Sequence, residues 1–321
     1  MLFSNDLADV NKDELSLEDL FCIVYCVVDD QYKLVVGSQQ NLRISHNGDP
    51  VFTDAEVMTI ALVGELKGEA SERGWWRFVH KNYRHLFPHL CSRTRYGRRL
   101  RKLKLVMEMI RQQFLFHLDV QTDRYRLVDS FPLRLLNLQR LSNSSCPFEY
   151  AATVGYCSSF KEHFYGFKVQ LLTDLRGIPV AFVLTPAHLH DIEGFRQLLN
   201  EMGELGMHHL KLIVVGDKAY VGEDYATELN ETYGIELLPI PRHYEKEMPP
   251  TALSCLLTKT RKIVETTTSG LTETMNANWT YCRSILGLIT RMIAKFTAFN
   301  LANYLNSLMG TPLLEIKSFA N

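Results

Sequence analysis

The sequence predicts a mixed α/β fold preceded by an all-helical segment, and three observations carry this. Apolar residues recur at helical spacing through about the first 120 positions, and at a period of two from Arg124 onward. Three strands in hairpin-like succession are followed by strands alternating with helices. The order β-β-β-α-β-α-β-α is the layout of a mixed sheet covered by helices. Two of the strands, Tyr125-Arg126-Leu127-Val128-Asp129 and Lys211-Leu212-Ile213-Val214-Val215-Gly216-Asp217, are apolar runs that end in an acid. The chain thus divides into a helical part (1–120), an α/β part (121–310) and a short tail (311–321).

Taken in order, Ser16 is the N-cap of a helix from Leu17 to about Val28, with Leu17, Leu20, Phe21, Val24 and Val28 at helical spacing. Thr53-Asp54-Ala55-Glu56 is a capping box that opens a second helix, running to about Lys67. A third helix spans Ser71 to about Tyr83 and carries Trp75, Trp76, Phe78 and Val79. A fourth runs from about Arg95 to Leu118. Strands follow at about 124–129, 164–173 and 178–184, with the chain turning at Pro132 and a loop-like stretch at 134–163. After Ala187-His188-Leu189-His190-Asp191 a helix extends to about Glu204. A strand over 211–216, a helix from Gly222 to about Thr232 and a strand over 235–240 come next. Two helices, about 253–275 and 280–308, end the pattern. The last has Ile285, Leu288, Ile289, Met292, Phe296, Phe299 and Leu305 on an apolar face.

Composition sets outer bounds. The 321 residues allow a sizeable core, with a net charge of −1 and 46% hydrophobic residues. No apolar run reaches the roughly 18–20 residues that span a bilayer. Met1 to Glu14 contains acids and lacks a basic-then-apolar signal pattern. Seven scattered cysteines (22, 26, 91, 146, 157, 255, 282) suit reduced thiols, and the expected location is cytoplasmic.

Charge is distributed unevenly. Twelve Lys/Arg lie between Arg73 and Arg111 (73, 77, 81, 84, 93, 95, 98, 99, 101, 102, 104, 111) with Glu108 the one acid among them. Charged surface helices normally mix signs, so this run points to phosphate contacts. Arg93, Arg95, Arg98, Arg99, Arg101, Lys102 and Lys104 are the DNA-binding candidates. The alternative is a solvated basic face.

The two acid-ended strands suggest chemistry. An acid closing a buried strand is costly unless its charge is used, although Asp before a proline turn is also a common turn cap. If the strands are parallel neighbours, Asp129 and Asp217 meet at one sheet edge, where two like charges need a cation between them. Oxygen ligands suit Mg²⁺ or Mn²⁺. Glu265, on a helix and after Arg261, is the best third ligand. Two ions about 3.5–4 Å apart activate a water and stabilise the leaving oxygen of a phosphodiester.

Several stretches together resemble a known family: Phe52-Thr53-Asp54-Ala55-Glu56-Val57, Leu86-Phe87-Pro88, Arg98-Arg99, Val128-Asp129-Ser130-Phe131-Pro132, Phe164-Tyr165-Gly166-Phe167-Lys168, Thr185-Pro186 with His190-Asp191, Gly216-Asp217-Lys218-Ala219-Tyr220, and Arg261-x-x-x-Glu265. They resemble DDE transposases of bacterial insertion sequences, in the branch named after insertion sequence 982, over about residues 50–305. The resemblance implies a ribonuclease-H-like core and a metal-binding catalytic triad of Asp129, Asp217 and Glu265. It also implies cleavage at terminal inverted repeats and joining of the 3′ hydroxyl to target DNA, with the N-terminal helices reading the repeats. The expected partners are double-stranded DNA and a second copy of the chain. The expected setting is the bacterial cytoplasm, at the nucleoid.

Supporting candidates are His190, Asp191, Lys218 and Arg261. His190-Asp191 equally suits a surface His beside a helix N-cap. Lys218 reads as a phosphate contact or a solvated lysine, and Arg261 as a phosphate contact or a partner for Glu265 one turn on. Thr258 and Thr272 stand where the wider group often has Tyr and Lys, and Thr266-Thr267-Thr268 follows Glu265. Two other readings therefore stand beside the transposase: a catalytically degenerate, transposase-derived DNA-binding protein, and a ribonuclease-H-like nuclease without strand transfer.

Overall fold

The computed structural model describes residues 15–37, 39, 41–42, 51–136, 138, 148, 150–157, 161–204, 211–216, 220, 223–239 and 251–320. The chain forms two compact units, Met1–Leu118 with Gly270–Asn321, and Asp119–Ser269. Residues 270–310, grouped by sequence with the α/β part, therefore cluster with the helices.

The helical unit contains α1 (Leu17–Val36), α2 (Asp54–Leu66), α3 (Glu72–Asn82), α4 (Arg93–Lys102), α5 (Lys104–His117) and, from the far end of the chain, α9 (Ile285–Leu308). Caps start the first helices as the sequence indicates. Ser16 accepts from the Asp19 amide while Asp19 bonds back to the Ser16 amide, and Thr53 and Glu56 do the same for α2. α1 runs on past Val28 to Val36, helped by the buried ring of Tyr32 and an Asp29–Lys33 pair one turn apart. The single helix expected over 95–118 is broken at Leu103, whose amide is shared between the Arg99 and Leu100 carbonyls.

α9 is the core of this unit. It is long and apolar enough to cross a membrane by length and composition, yet 83% of its apolar window is buried inside the protein. Phe296, Phe299, Leu301 and Leu305 are fully buried, each such side chain contributing about 1.5–3 kcal/mol. α9 packs on α2, α4 and α5, which is why it belongs with the N-terminal helices. Its two interior cations share one carboxylate from α2: Lys295 Nζ donates to Glu65 Oε2 at 2.5 Å, and Arg291 Nε lies 3.0 Å from Glu65 Oε1.

The second unit is a six-stranded sheet with helices, a mixed α/β fold. Its strands are β1 (Tyr125–Leu136), β2 (Thr153–Cys157), β3 (Glu162–Thr173), β4 (Pro179–Pro186), β5 (Ile213–Gly216) and β6 (Glu236–Pro239). Its helices are α6 (Asp191–Glu204), α7 (Glu223–Tyr233) and α8 (Thr251–Ser269). The strand order is β2-β3-β1-β5-β6, with β4 also on β3. β3 runs antiparallel to both β1 and β4, whereas β1, β5 and β6 are parallel.

Two expectations change here. β1 does not end at Asp129 or turn at Pro132; it continues to Leu136, paired with β3 from Leu127 onward with a register shift between Arg134 and Leu136. The pairing with β5 stops at Val128, so Pro132 lies where β1 has a neighbour on one side among the described residues, the setting in which a strand tolerates proline. The stretch read as a loop over 134–163 contributes the end of β1 and all of β2, an extra strand in the order. Most of the remainder of that stretch lies outside the described residues.

The sheet has two covered faces. Val128 and Leu172, which pair across β1 and β3, are buried with Phe195, Leu198 and Leu199 of α6 and Tyr225 and Leu229 of α7. Leu127 and Val215 point the other way and are buried with Val264 of α8.

Candidate active site

The site is built where the parallel ladder ends. Tyr125 to Val128 pair with Ile213 to Gly216, so Val128 stands beside Gly216. The next residues in the chain are Asp129 on one strand and Asp217 after the other. The two acid-bearing strands are thus parallel neighbours. Asp217 and Lys218 themselves lie outside the described residues. Gly216 permits the close approach of its strand: a Cβ there would meet Val128 Cγ1 at 2.7 Å and Tyr220 Cδ2 at 3.2 Å.

Asp129 is half-buried. Its Oδ1 accepts from the Ser130 amide at 2.8 Å, and its Oδ2 accepts from Thr268 Oγ1 of α8 at 3.4 Å. α8 is held against the sheet by Thr267, whose buried hydroxyl donates to the Gly177 carbonyl at 2.7 Å in the turn between β3 and β4. Glu265 lies nearly one turn before Thr268, so it projects from neighbouring positions of the helix face that meets Asp129. Its side chain is 59% exposed and accepts from Arg261 Nε at 2.9 Å. An exposed i,i+4 pair is worth about 0.3–0.5 kcal/mol, too little to keep the carboxylate from a divalent cation.

Among the described residues no group of three His, Cys, Asp or Glu side chains stands ready to hold a metal ion. The described pair, Asp129 and Glu265, offers carboxylate oxygens alone, the donor chemistry of Mg²⁺ and Mn²⁺. The third acid of the expected triad is the one outside the described residues.

His190 and Asp191 part company. His190 is exposed and its carbonyl accepts from Gly194 in the first turn of α6. The Asp191 carboxylate turns to the face of the sheet opposite the Asp129 side chain, where Oδ1 accepts from Ser130 Oγ (3.1 Å), Lys168 Nζ (3.0 Å) and Gln170 Nε2 (3.2 Å). Gln170 Oε1 in turn accepts from the Tyr220 hydroxyl at 3.0 Å. Burial, followed by the Asp191 charge, pushes the Tyr220 phenol well above the ordinary tyrosine range. The roles of Ser130, Gln170 and Tyr220 here were missed by sequence reasoning. The available signal was the alternation of β3, where Lys168 and Gln170 are the polar interruptions between Phe167, Val169 and Leu171.

The basic candidates also separate. Arg93, Arg95, Arg98 and Lys102 are exposed on α4, while Arg101 and Lys104 are half-buried. Arg99 is committed within the unit. Its guanidinium donates to Asp54 Oδ1 (2.5 Å), Asn41 Oδ1 (2.8 Å) and the Phe52 carbonyl. It ties α4 to the start of α2 rather than facing outward. Arg111 is buried against Glu108.

A family model described as "Transposase DDE domain" matches residues 121–301. No curated protein and no solved structure matches the chain.

Proposed function

This chain belongs to the transposase DDE-domain family, and on that premise we propose that it is an insertion-sequence transposase, of the branch named after insertion sequence 982. In this reading it cleaves DNA at the element's terminal inverted repeats and transfers the 3′ hydroxyl end to target DNA. The observation that carries the proposal is the register of β1 and β5. Two parallel strands reach Val128 and Gly216 side by side, each is followed by an aspartate, and the helix bearing Glu265 is bonded to the first of them through Thr268. The order β4-β3-β1-β5-β6, antiparallel then parallel, supports a ribonuclease-H-like sheet.

Asp129, Asp217 and Glu265 would hold Mg²⁺ or Mn²⁺, as two ions. Bound there, the ions supply a Lewis acid at the phosphodiester and an activated water or hydroxyl. The chain's own part is to fix carboxylates on rigid elements and orient them. We assign Arg261 to orienting Glu265, Lys218 to a DNA phosphate contact, and His190, exposed just before α6, to a supporting role. Arg93, Arg95, Arg98 and Lys102 are the phosphate contacts we assign to α4, with Arg101 and Lys104 at their margin. Two DNA ends must be joined in one event, so the active form is a homodimer on DNA, acting in the bacterial cytoplasm at the nucleoid. A light-scattering mass of one chain per pair of DNA ends contradicts the dimer.

The threonines after Glu265 have places in this fold. Thr266 bonds back to the Lys262 carbonyl within α8, while Thr267 anchors α8 to the Gly177 carbonyl and Thr268 reaches Asp129, so two of the three hydroxyls tie the helix to the sheet unit.

The test is a labelled duplex carrying the terminal repeat, incubated with wild type or Asp217→Ala in Mg²⁺, Mn²⁺ or EDTA, with a target duplex present. The expected result is metal-dependent nicking at the repeat boundary and joined products, both lost in the variant. Nicking without joining favours a nuclease, and binding without nicking in any metal favours a DNA-binding derivative.

A further inference from the structure

The proposed reaction uses one face of the sheet beside Asp129, but the opposite face carries a polar network in an otherwise apolar interior. Gln170 is fully buried and Tyr220 is 2% exposed. Their neighbours on that face are Val128, Leu172, Phe195 and Leu198. The bonds form one connected chain. Tyr220 donates to Gln170, Gln170 donates to Asp191, and Ser130 and Lys168 donate to the same Asp191 oxygen. Lys168 also donates to the Leu189 carbonyl at 3.0 Å, fixing the entry to α6. Lys168 supplies the countercharge without which Asp191 would be a poorly compensated anion.

The backbone is shaped around this network. A Cβ on Gly194 would meet Gln170 Nε2 at 2.5 Å and Cδ at 2.7 Å, so glycine lets α6 settle onto the amide. Gly216 gives room to the Tyr220 ring in the same way. A buried polar network is stabilising only when all its members are satisfied, and then it specifies one arrangement of the elements it joins. The ends of this one are informative. Ser130 directly follows Asp129, and Tyr220 is three residues after Asp217.

We propose that Gln170, Asp191 and Tyr220 are positioning residues: their network ties Tyr220, three residues after Asp217, to the strand carrying Asp129 from the far face of the sheet, and so supports the proposed metal-binding carboxylates. This deepens the proposed function and rests on its assignment of a metal site to Asp129 and Asp217. Groups that orient metal ligands without touching the metal typically change metal affinity or activity 10–100-fold when removed.

The test uses the full chain with Tyr220→Phe, which deletes one hydroxyl and keeps the ring, and Asp191→Asn, which keeps shape and loses charge. Asp217→Ala is the control. Mn²⁺ binding is read by electron paramagnetic resonance of the free ion, alongside the Mn²⁺ dependence of DNA nicking. Each positioning variant is expected to bind Mn²⁺ roughly 10-fold or more weakly and to recover nicking at high Mn²⁺. The double variant is expected to be little worse than the worse single one, because both act through one network. Mn²⁺ binding that Asp217→Ala abolishes but Tyr220→Phe and Asp191→Asn leave unchanged overturns the positioning role alone. Absent binding by wild type, or binding indifferent to Asp217→Ala, overturns the metal-site reading and this inference with it.

Discussion

Gly216→Ala is the most informative single perturbation of the sheet. The new methyl would sit 2.7 Å from Val128 Cγ1 and 3.2 Å from Tyr220 Cδ2, and the first distance is well inside van der Waals contact. Val128 cannot give way cheaply: it is β-branched, 4% exposed and packed against Leu172. The strain must therefore be relieved by moving β1 and β5 apart, at about 1–3 kcal/mol. For a unit of about 150 residues this corresponds to roughly 2–4 °C of melting temperature per kcal/mol. Trp75, Trp76 and Trp279 all lie in the helical unit, so tryptophan fluorescence follows that unit. Hydrogen exchange in peptides of β1 and β3 follows the sheet. Exchange should accelerate in β1, and Val128→Ala combined with Gly216→Ala should recover part of the loss, a coupling of about 0.5–3 kcal/mol. Protection of β1 unchanged in Gly216→Ala, or strict additivity in the double variant, would refute the close-approach argument.

Arg98 and Arg99 should behave as opposites. Arg99→Ala removes the guanidinium from Asp54, Asn41 and the Phe52 carbonyl, leaving Asp54 with the Tyr32 hydroxyl and the Leu42 amide but no countercharge from Arg99, and should cost the helical unit about 3 kcal/mol in urea melts, whereas Arg98→Ala should leave stability unchanged and weaken DNA binding with a shallower salt slope. Glu65→Gln strands Lys295 and Arg291 in the core and should cost about 3–5 kcal/mol, read by tryptophan fluorescence. His117 stacks on Tyr304 and is held below its ordinary value of 6.5 by burial. The unfolded chain therefore binds this proton first. Its contribution to stability is present above about pH 6.5 and is lost as pH falls through its lower folded value, and His117→Gln should flatten that part of the stability–pH curve.

What was legible in the sequence had local causes. The Ser16 and Thr53 caps state their own geometry, and the period-two runs announce β1, β3 and β4. The two apolar runs ending in acids foreshadowed parallel neighbours. What was not legible depends on partners distant in the chain. No Gly or Pro marks Leu103, so the break between α4 and α5 carries no local signal. Pro132 looked like a turn because tolerance for proline in β1 depends on where β5 stops. Arg98 and Arg99 are adjacent letters about 100° apart around a helix, and only the position of Asp54 decides which one faces inward. Asp191 could be suspected near the site from its motif, but its three donors come from β1 and β3, and no spacing reveals that they converge.

In the proposed function Asp129 on β1, Asp217 after β5 and Glu265 on α8 share one divalent-metal site. Fe²⁺ in place of Mg²⁺, with ascorbate and peroxide, generates hydroxyl radicals that cut the polypeptide beside the bound ion, and the fragments are mapped by mass spectrometry. Cuts are expected in three separate stretches, around Asp129, after Gly216 and around Glu265, all suppressed by excess Mg²⁺ and by Asp217→Ala. Cuts confined to one of these stretches, or scattered without regard to Mg²⁺, would contradict it.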